Sequence, residues 1–494
     1  MEEQVFRQIT KVLRDKIKGS PFFEISYYVG GAVRDLLMGN PIKDIDIVVE
    51  MEQGGVKLAE YLRDMHYTKG SVVLYPTYGT AMLRLKEFPN EELEFVMTRG
   101  EKYTDEGSRN PDVHYVNLQE DAVRRDLTIN ALYYNIFNGE ILDPTGKGKY
   151  DIEHKILRVT NDNPDIVFTE DALRILRVIR FQSRYGKEWH IEENTWEALK
   201  RNVHRLEIIS KERIRDEFVK MIATDNPCLA MELLRDSGAM HYVIPELEGT
   251  YEMIQNQYHC GTVWEHTLKV LDEYSHLERG FGKKANPLMR VACVLHDIGK
   301  LKCRTETPDG KVHFIGHEVI GAMMVGDIMR NLKFSNEEIE YVKFMVRNHM
   351  AIKQWGKECE HAKDKHIRKL QYFCWTKDRF MELMDLIDAD NRSHAEGHCM
   401  PLQVDAIIDR TIHMGIDGTD MFEYKLPVNG NDIMEAYGVE EGIAVKVYKE
   451  TMLKTALSKP KITKEELLRM CGNLDVKETK LYKVLNNKIN GKTK

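Results

Sequence analysis

The stretch Tyr28–Val49, YVGGAVRDLLMGNPIKDIDIVV, restricts the fold of this chain more than any other. Asp44 and Asp46 flank Ile45 in a segment that continues Ile-Val-Val. Side chains alternate faces along a strand, so both carboxylates share one face while Ile45 and Ile47 point into a core. Two carboxylates on a rigid strand edge suit Mg²⁺, which prefers oxygen ligands and takes substrate phosphates as well. A third carboxylate on a neighbouring strand completes a two-metal site for in-line phosphoryl transfer. Glu94 is the candidate, because Glu92 and Glu94 alternate with Leu93 and Phe95. Gly30 and Gly31 precede a helix-like run, so their backbone N–H groups can approach phosphate oxygens near a helix start. An isolated Asp-x-Asp usually marks a solvated strand end. Joined to two glycines at this spacing, it points to nucleotidyl transfer.

The chain has 494 residues, room for three or four domains at roughly 150 residues each. With 42% hydrophobic and 30% charged residues it reads as globular. No apolar run reaches the length of about 18 residues that suggests a membrane span, and the start MEEQVFRQ does not resemble a signal peptide. Eight scattered cysteines without a Cys-x-x-Cys pair read as reduced thiols in the cytoplasm, neither a disulfide frame nor a zinc site. A formal charge of −8 argues against a general nucleic-acid binder but hides local patches. Arg174–Lys220 carries 12 Lys/Arg against 8 Asp/Glu, and Lys477–Lys494 carries six lysines against Glu478 alone. Such patches fit a large polyanion held along part of the surface, although each alone reads equally as a solvated helix face.

Residues 1–26 read as one amphipathic helix closed by Gly-Ser-Pro. Residues 27–160 alternate strand-like runs (IDIVVE, VVLYP, TAMLRL, LEFVMT) with helical ones, which predicts a mixed sheet in an α/β arrangement. From Phe168 the spacing is helical almost throughout, in EDALRILRVIRFQSRYG, NTWEALKRNVHRL and SKERIRDEFVKMI. Of 18 histidines, 11 fall between His259 and His398. The expected organisation is therefore four segments, 1–160, 161–249, 250–400 and 401–494.

Four motifs in order, GGAVRDLLMG…DIDIVV, RRDLTINALYYN, ILDPTGKGKYDI and EDALRILRVIRF, resemble the bacterial class II tRNA nucleotidyltransferase/poly(A) polymerase family. The resemblance implies an α+β multidomain chain: a head with a polymerase-beta-like palm, an all-α neck and body, an all-α HD domain and a helical tail. It makes Asp44 and Asp46 the metal-binding carboxylates that activate the 3′-hydroxyl of an RNA primer. Gly30, Gly31, Arg34, Arg124, Arg125, Asp126 and Asn130 are then expected around the incoming nucleotide. Arginine forks pair with phosphate oxygens, and Asp and Asn can bond a ribose hydroxyl. Taken alone, Arg-Arg-Asp reads as a surface ion-pair cluster. Asp143, Gly146 and Asp151 resemble the family's turn out of the head. Asp171 and Arg174, three apart after Glu170, would lie side by side on a helix and resemble the family's amino-acid template for C or A. Arg177 and Arg180 extend that basic face. Within Phe88–Val113, the segment TRGEKYTDEGSRNPD looks like the family's flexible loop.

His266, His296-Asp297, His349 and Asp390 follow the spacing of HD metal-dependent phosphohydrolases, and His317 with His349 offers a second metal position. Lys300 is placed to contact a substrate phosphate. LPVNGNDIMEAYGV and the segment after it resemble the tail that grips the tRNA elbow, with Lys446 and Lys449 as phosphate contacts. The expected activity is addition of CMP, CMP and AMP from CTP and ATP to a tRNA lacking its 3′ CCA. Mg²⁺ is expected in the head, a divalent metal in the HD domain, and no membrane partner. The competing readings are a poly(A) polymerase, a partial enzyme adding only CC or only A, and an HD phosphohydrolase whose N-terminal part binds RNA.

Overall fold

In the computed structural model, which describes residues 1–102, 112–256, 261–280 and 282–489, helix α1 (Glu3–Ile17) buries Phe6, Ile9, Leu13 and Ile17 at helical spacing. Each fully buried side chain of this kind contributes about 1.5–3 kcal/mol. The helix ends at Ile17 and does not run on to residue 26, because Gly19 takes a positive φ of 77° and turns the chain.

A seven-stranded mixed sheet follows, ordered β3-β4-β5-β2-β1-β8-β9. Its strands are β1 (Ser26–Val29), β2 (Ile45–Val49), β3 (Val73–Tyr75), β4 (Thr80–Leu85), β5 (Phe88–Met97), β8 (Tyr133–Asn135) and β9 (Ile141–Leu142). Strands β6 (Arg99–Lys102) and β7 (Asp112–Tyr115) pair separately as a hairpin. β2 and β5 are parallel and the other pairs of the sheet antiparallel. One face carries Tyr28, Ile45, Ile47, Leu93 and Phe95 into the core shared with α1 and with α3 (Gly54–Asp64), reached after α2 (Gly31–Leu37). The opposite face carries Tyr27, Val29 and Val48, packed with Tyr133 and with Ala122 of α4 (Leu118–Val123). Asp46 pairs with Val29 on one side and Glu94 on the other, so both carboxylates lie on this second face.

Helix α5 (Gly148–Glu153) leads to α6 (Pro164–Glu170), α7 (Leu173–Tyr185), α8 (Glu193–Asn202), α9 (Lys211–Ile222), α10 (Pro227–Asp236) and the short α11 (Met240–Val243). These join the sheet in one compact unit, residues 1–248 with 328–335. The second unit, 249–327 with 336–494, is helical. It holds α12 (Val263–Gly280), α13 (Pro287–Leu295), α14 (Lys300–Cys303), most of α15 (His317–Asn331), α16 (Asn336–Asn348), α17 (Asp364–Cys374) and α18 (Lys377–Arg392). Then come α19 (Leu402–Ile416), α20 (Gly430–Tyr437), α21 (Ile443–Ser458), α22 (Lys464–Cys471) and α23 (Lys480–Ile489). A separate apolar cluster around Ile433, Val447, Met452 and Leu467 holds this last group. Among the described residues the cysteines are all free, and no helix is long and apolar enough to cross a membrane.

Candidate functional site

The β2–β5 register sets Asp46 beside Glu94, while Asp44 stands one residue before β2 and is exposed. Burial, then the nearby Glu94 and Asp44 charges, push the Asp46 carboxyl up to about 6 against the pull of Arg125. Burial likewise raises Glu94, with Asp44 and Glu92 adding to it and Arg99 opposing. A buried carboxylate raised by its acidic neighbours in this way is short of positive charge, and a divalent cation is the natural supply. The described residues hold two groups of three ligands whose donor atoms all lie within 4.8 Å, and the Asp44–Asp46–Glu94 set is not one of them. Gly30 has a φ of 68°, and a methyl group on it would sit 3.8 Å from Asp46 Oδ2 and 3.7 Å from Arg125 Nη1. The glycine is needed for its backbone and leaves the space between carboxylate and guanidinium open.

A buried polar network adjoins Asp46 through Arg125. Asp121, fully buried on α4, accepts Nε and Nη2 of Arg124 on Oδ1 at 3.1 and 2.8 Å. Its Oδ2 accepts Nε and Nη2 of Arg125 at 3.2 and 3.0 Å, and the Tyr133 hydroxyl at 2.7 Å. Burial opposes ionisation of Asp121, yet Arg125, Arg124 and Tyr133 outweigh it and hold the carboxyl well below the usual range. Asp126 accepts Arg177 Nε at 2.8 Å on one oxygen and Asn130 Nδ2 at 2.9 Å on the other. Arg34 is itself buried and donates to both oxygens of Asp35 at 2.9 Å and to Asn130 Oδ1 at 2.6 Å. Arg180 is paired with Glu217 at 2.7 Å. Of the expected nucleotide-binding residues, Arg34, Asp126, Asn130, Arg177 and Arg180 thus direct polar atoms at other protein groups, while Arg125 and Gly30 face Asp46. Asp143 and Asp151 serve local structure: Asp143 accepts the Lys149 N–H, and Asp151 accepts the Thr128 hydroxyl.

The side-by-side Asp171–Arg174 pair is corrected by the structure. Asp171 is extended, with φ −142° and ψ 103°, and separates α6 from α7. Its Oδ1 accepts the Leu173 N–H at 3.1 Å, the local hydrogen bond by which Asp competes with helix continuation. Its Oδ2 pairs with Arg213 at 3.1 Å. Arg174 turns instead to Glu170 at 2.9 Å and to the carbonyl of Arg124 at 2.6 Å. The expected loop lies largely outside the described residues, which stop at Lys102 and resume at Asp112.

In the second unit, six expected ligands come together from α12, the end of α13, α15, the residue after α16, and α18, all buried. One group is His266, His296 and Asp390; the other is Asp297, His317 and His349. Asp297 stands between them, with Oδ2 at 3.2 Å from His296 Nε2 and Oδ1 at 3.2 Å from His317 Nε2. The Nδ1 atoms of His296, His317 and His349 lie 2.8, 2.8 and 2.6 Å from backbone carbonyls. Those bonds put the ring proton on Nδ1 and leave an Nε2 lone pair aimed inward, the arrangement of metal-ligating histidines. The Nε2 atoms of His317 and His349 are only 3.2 Å apart, a contact that a cation between the two lone pairs relieves. Burial holds His266 down at about 4 and His349 at about 3, so both are neutral ligands. The adjoining groove, about 740 Å³, is lined by Lys300, Lys353, Lys357 and His394 among others. Lys300 sits on Asp297 at 2.6 Å, and Lys353 on Asp390 at 2.9 Å.

Sequence reasoning missed Asp121, Asp35, Tyr133, Glu217 and Lys353. Asp121 had a local signal, since it lies three and four residues before Arg124 and Arg125 at the end of a helical run. Glu217 and Lys353 had none, because their partners are distant in the chain.

Three family models match the chain: "Poly A polymerase head domain" over residues 26–158, "Probable RNA and SrmB-binding site of polymerase A" over 189–250, and "HD domain" over 263–388. A polymerase head of this kind and an HD domain both imply a divalent metal. The Multifunctional CCA protein of Neisseria gonorrhoeae (strain NCCP11945) is 30% identical over 384 residues, covering 75% of this chain and 85% of that protein. The Multifunctional CCA protein of Ralstonia nicotianae is 31% identical over 341 residues, or 65% and 71%. Among solved structures, the Bacillus stearothermophilus CCA-adding enzyme in complex with CTP superposes with a TM-score of 0.63 at 20% identity, covering 99% of this chain and 100% of that one. A tRNA nucleotidyltransferase complexed with a primer tRNA and an incoming ATP analog gives 0.56 at 20% identity, with 82% and 99% covered. At that identity the likeness is one of fold.

Proposed function

The chain belongs to the family of proteins with a poly A polymerase head that includes the multifunctional CCA proteins, and on that premise we propose that it is a CCA-adding tRNA nucleotidyltransferase. It adds CMP, CMP and AMP in order, from CTP and ATP, to a tRNA lacking its 3′ CCA, without a nucleic-acid template, in the cytoplasm. The observation that carries this reading is the pairing of Asp46 with Glu94 on one face, across a glycine from Arg125. Asp44, Asp46 and Glu94 would hold Mg²⁺, which when bound activates the primer hydroxyl and offsets the developing phosphate charge. Arg125 and Arg124 orient the triphosphate, and Gly30 keeps the passage beside Asp46 clear. The four segments 1–160, 161–249, 250–400 and 401–494 act as head, neck, HD domain and tail.

The two ligand groups in the second unit favour a further hydrolytic activity on phosphate esters bound in the groove that Lys300, Lys353 and Lys357 line.

The decisive assay offers CTP, ATP, both, GTP or UTP with Mg²⁺ and a tRNA ending before CCA, and resolves products to one nucleotide. Three additions that need CTP before ATP are expected. An A ladder from ATP alone would make the chain a poly(A) polymerase, and arrest after CC a partial enzyme. Asp46→Ala is expected to abolish every addition and leave tRNA binding intact; activity in that variant would remove Asp46 from the site.

A further inference from the structure

Arg125 meets Asp121 side-on, through Nε and Nη2, and only its Nη1 is directed to the Gly30–Asp46 side. The same carboxylate takes Nε and Nη2 of Arg124 on its other oxygen. Asp121 also accepts the backbone N–H of Arg99 at 3.1 Å, at the start of β6 and two residues after the strand that carries Glu94. The Tyr133 hydroxyl, itself within 3.1 Å of Arg125 Nε, adds a further donor from β8. One fully buried carboxylate thus fixes two neighbouring guanidinium groups against β6 of the hairpin and β8 of the sheet.

We propose that Asp121 is the positioning residue for the triphosphate: it does not touch the nucleotide but sets the planes of Arg124 and Arg125 so that their outer edges meet phosphate oxygens. This rests on the reading of the head as a nucleotidyltransferase. Guanidinium forks bind phosphate well only when pre-oriented, because a free arginine loses side-chain freedom on binding. A bond through Nε and Nη2 removes rotation about the terminal torsions and leaves Nη1 facing outward. A neutral acceptor cannot replace the carboxylate: Asn would turn an NH₂ group toward one of the two arginines and release it. Both arginines serve the part of the substrate that CTP and ATP share, so Asp121 acts on the affinity for either nucleotide and not on the choice between them.

The experiment compares wild type, Asp121→Asn and Tyr133→Phe in steady-state incorporation with CTP, ATP and tRNA varied in turn, alongside the unfolding midpoint. In Asp121→Asn the KM for CTP and for ATP is expected to rise by the same factor, about tenfold or more. The KM for tRNA and the C-to-A discrimination stay as in wild type. Tyr133→Phe, which removes one hydroxyl and no charge, raises both nucleotide KM values by a smaller common factor. It keeps the test intact if Asp121→Asn does not fold. Unchanged nucleotide KM values in the folded variants would overturn the proposal. So would a loss confined to kcat that followed the unfolding midpoint, since that describes a merely structural carboxylate. If wild type itself adds neither CMP nor AMP, the functional reading fails instead, which the wild-type arm reports separately.

Discussion

Asp126 spends both carboxylate oxygens inside the protein, on Arg177 and on Asn130 with the Leu127 N–H. Burial opposes its ionisation, but Arg177 and these hydrogen bonds prevail and hold the carboxyl well below the ordinary Asp value. The folded state therefore binds its proton less readily than the unfolded chain. The stabilisation is present in full above the unfolded value, about 3.9, and is lost as pH falls through the folded one. Asp126→Asn is expected to lower stability by about 2 kcal/mol at neutral pH, with the gap to wild type narrowing as the pH drops below about 4. Denaturant unfolding at both pH values checks this, and a gap that did not change with pH would refute it. Sequence alone identified Asp126 as a candidate but not its partner. Arg177 lies 51 residues away, and no spacing rule reaches that far.

At the scale of elements, α6 and α7 show how one residue overrides a pattern. The run from Glu170 to Gly186 has unbroken helical periodicity, yet Asp171 leaves the helix to cap Leu173 and to meet Arg213 from α9. Periodicity reports which faces are apolar; it does not report where a side chain finds a better hydrogen bond than the helix offers. The histidine-bearing helices were more legible, because their ligands follow one another along the chain in the order that resembles the HD family. Their packing adds one fact: Asp297 lies between both ligand groups. Metal content after dialysis against a divalent transition metal is accordingly expected to fall by one ion per chain in His349→Ala. In Asp297→Ala, which withdraws a ligand from one group and a neighbour from the other, it should fall by two. Equal losses in the two variants would show a single ion. Chelation is also expected to lower the unfolding midpoint of wild type and not that of Asp297→Ala, since bound metal stabilises only the folded state.

Across the molecule, charge counted along the chain and charge presented in space differ. The basic stretch Arg174–Lys220 uses much of its charge internally, through Arg177–Asp126, Arg180–Glu217, Arg184–Asp35, Arg201–Asp165 and Arg213–Asp171. In the second unit, two adjoining grooves of about 500 and 560 Å³ bring Lys365 and Lys369 of α17 beside Lys459, Lys461 and Arg469 near α22. These five cations are exposed and come from segments some ninety residues apart. If they meet tRNA phosphates, the double variant Lys369→Glu with Lys459→Glu binds tRNA more weakly, and its affinity depends less steeply on salt, by about two units of slope. Incorporation at saturating tRNA should be unchanged. An unaltered salt slope would exclude this surface from the tRNA contact.

What the sequence determined by itself is the set of groups that carry chemistry and the faces they occupy. Strand alternation put Asp46 on the side opposite Ile45 and Ile47, and the order of histidines and aspartates, by its resemblance to the HD family, picked out the HD ligands. The first is a local statement, because a strand repeats every two residues; the second spans 124 residues from His266 to Asp390 and rests on the family resemblance. Tertiary structure decided the rest: that Asp46 faces Glu94 in register, that Asp121 collects two arginines, that Asp171 parts from Arg174, and which lysines share a groove. Each of these depends on where the chain comes back upon itself. A buried charge takes the partner that desolvation makes it need, wherever in the sequence that partner lies.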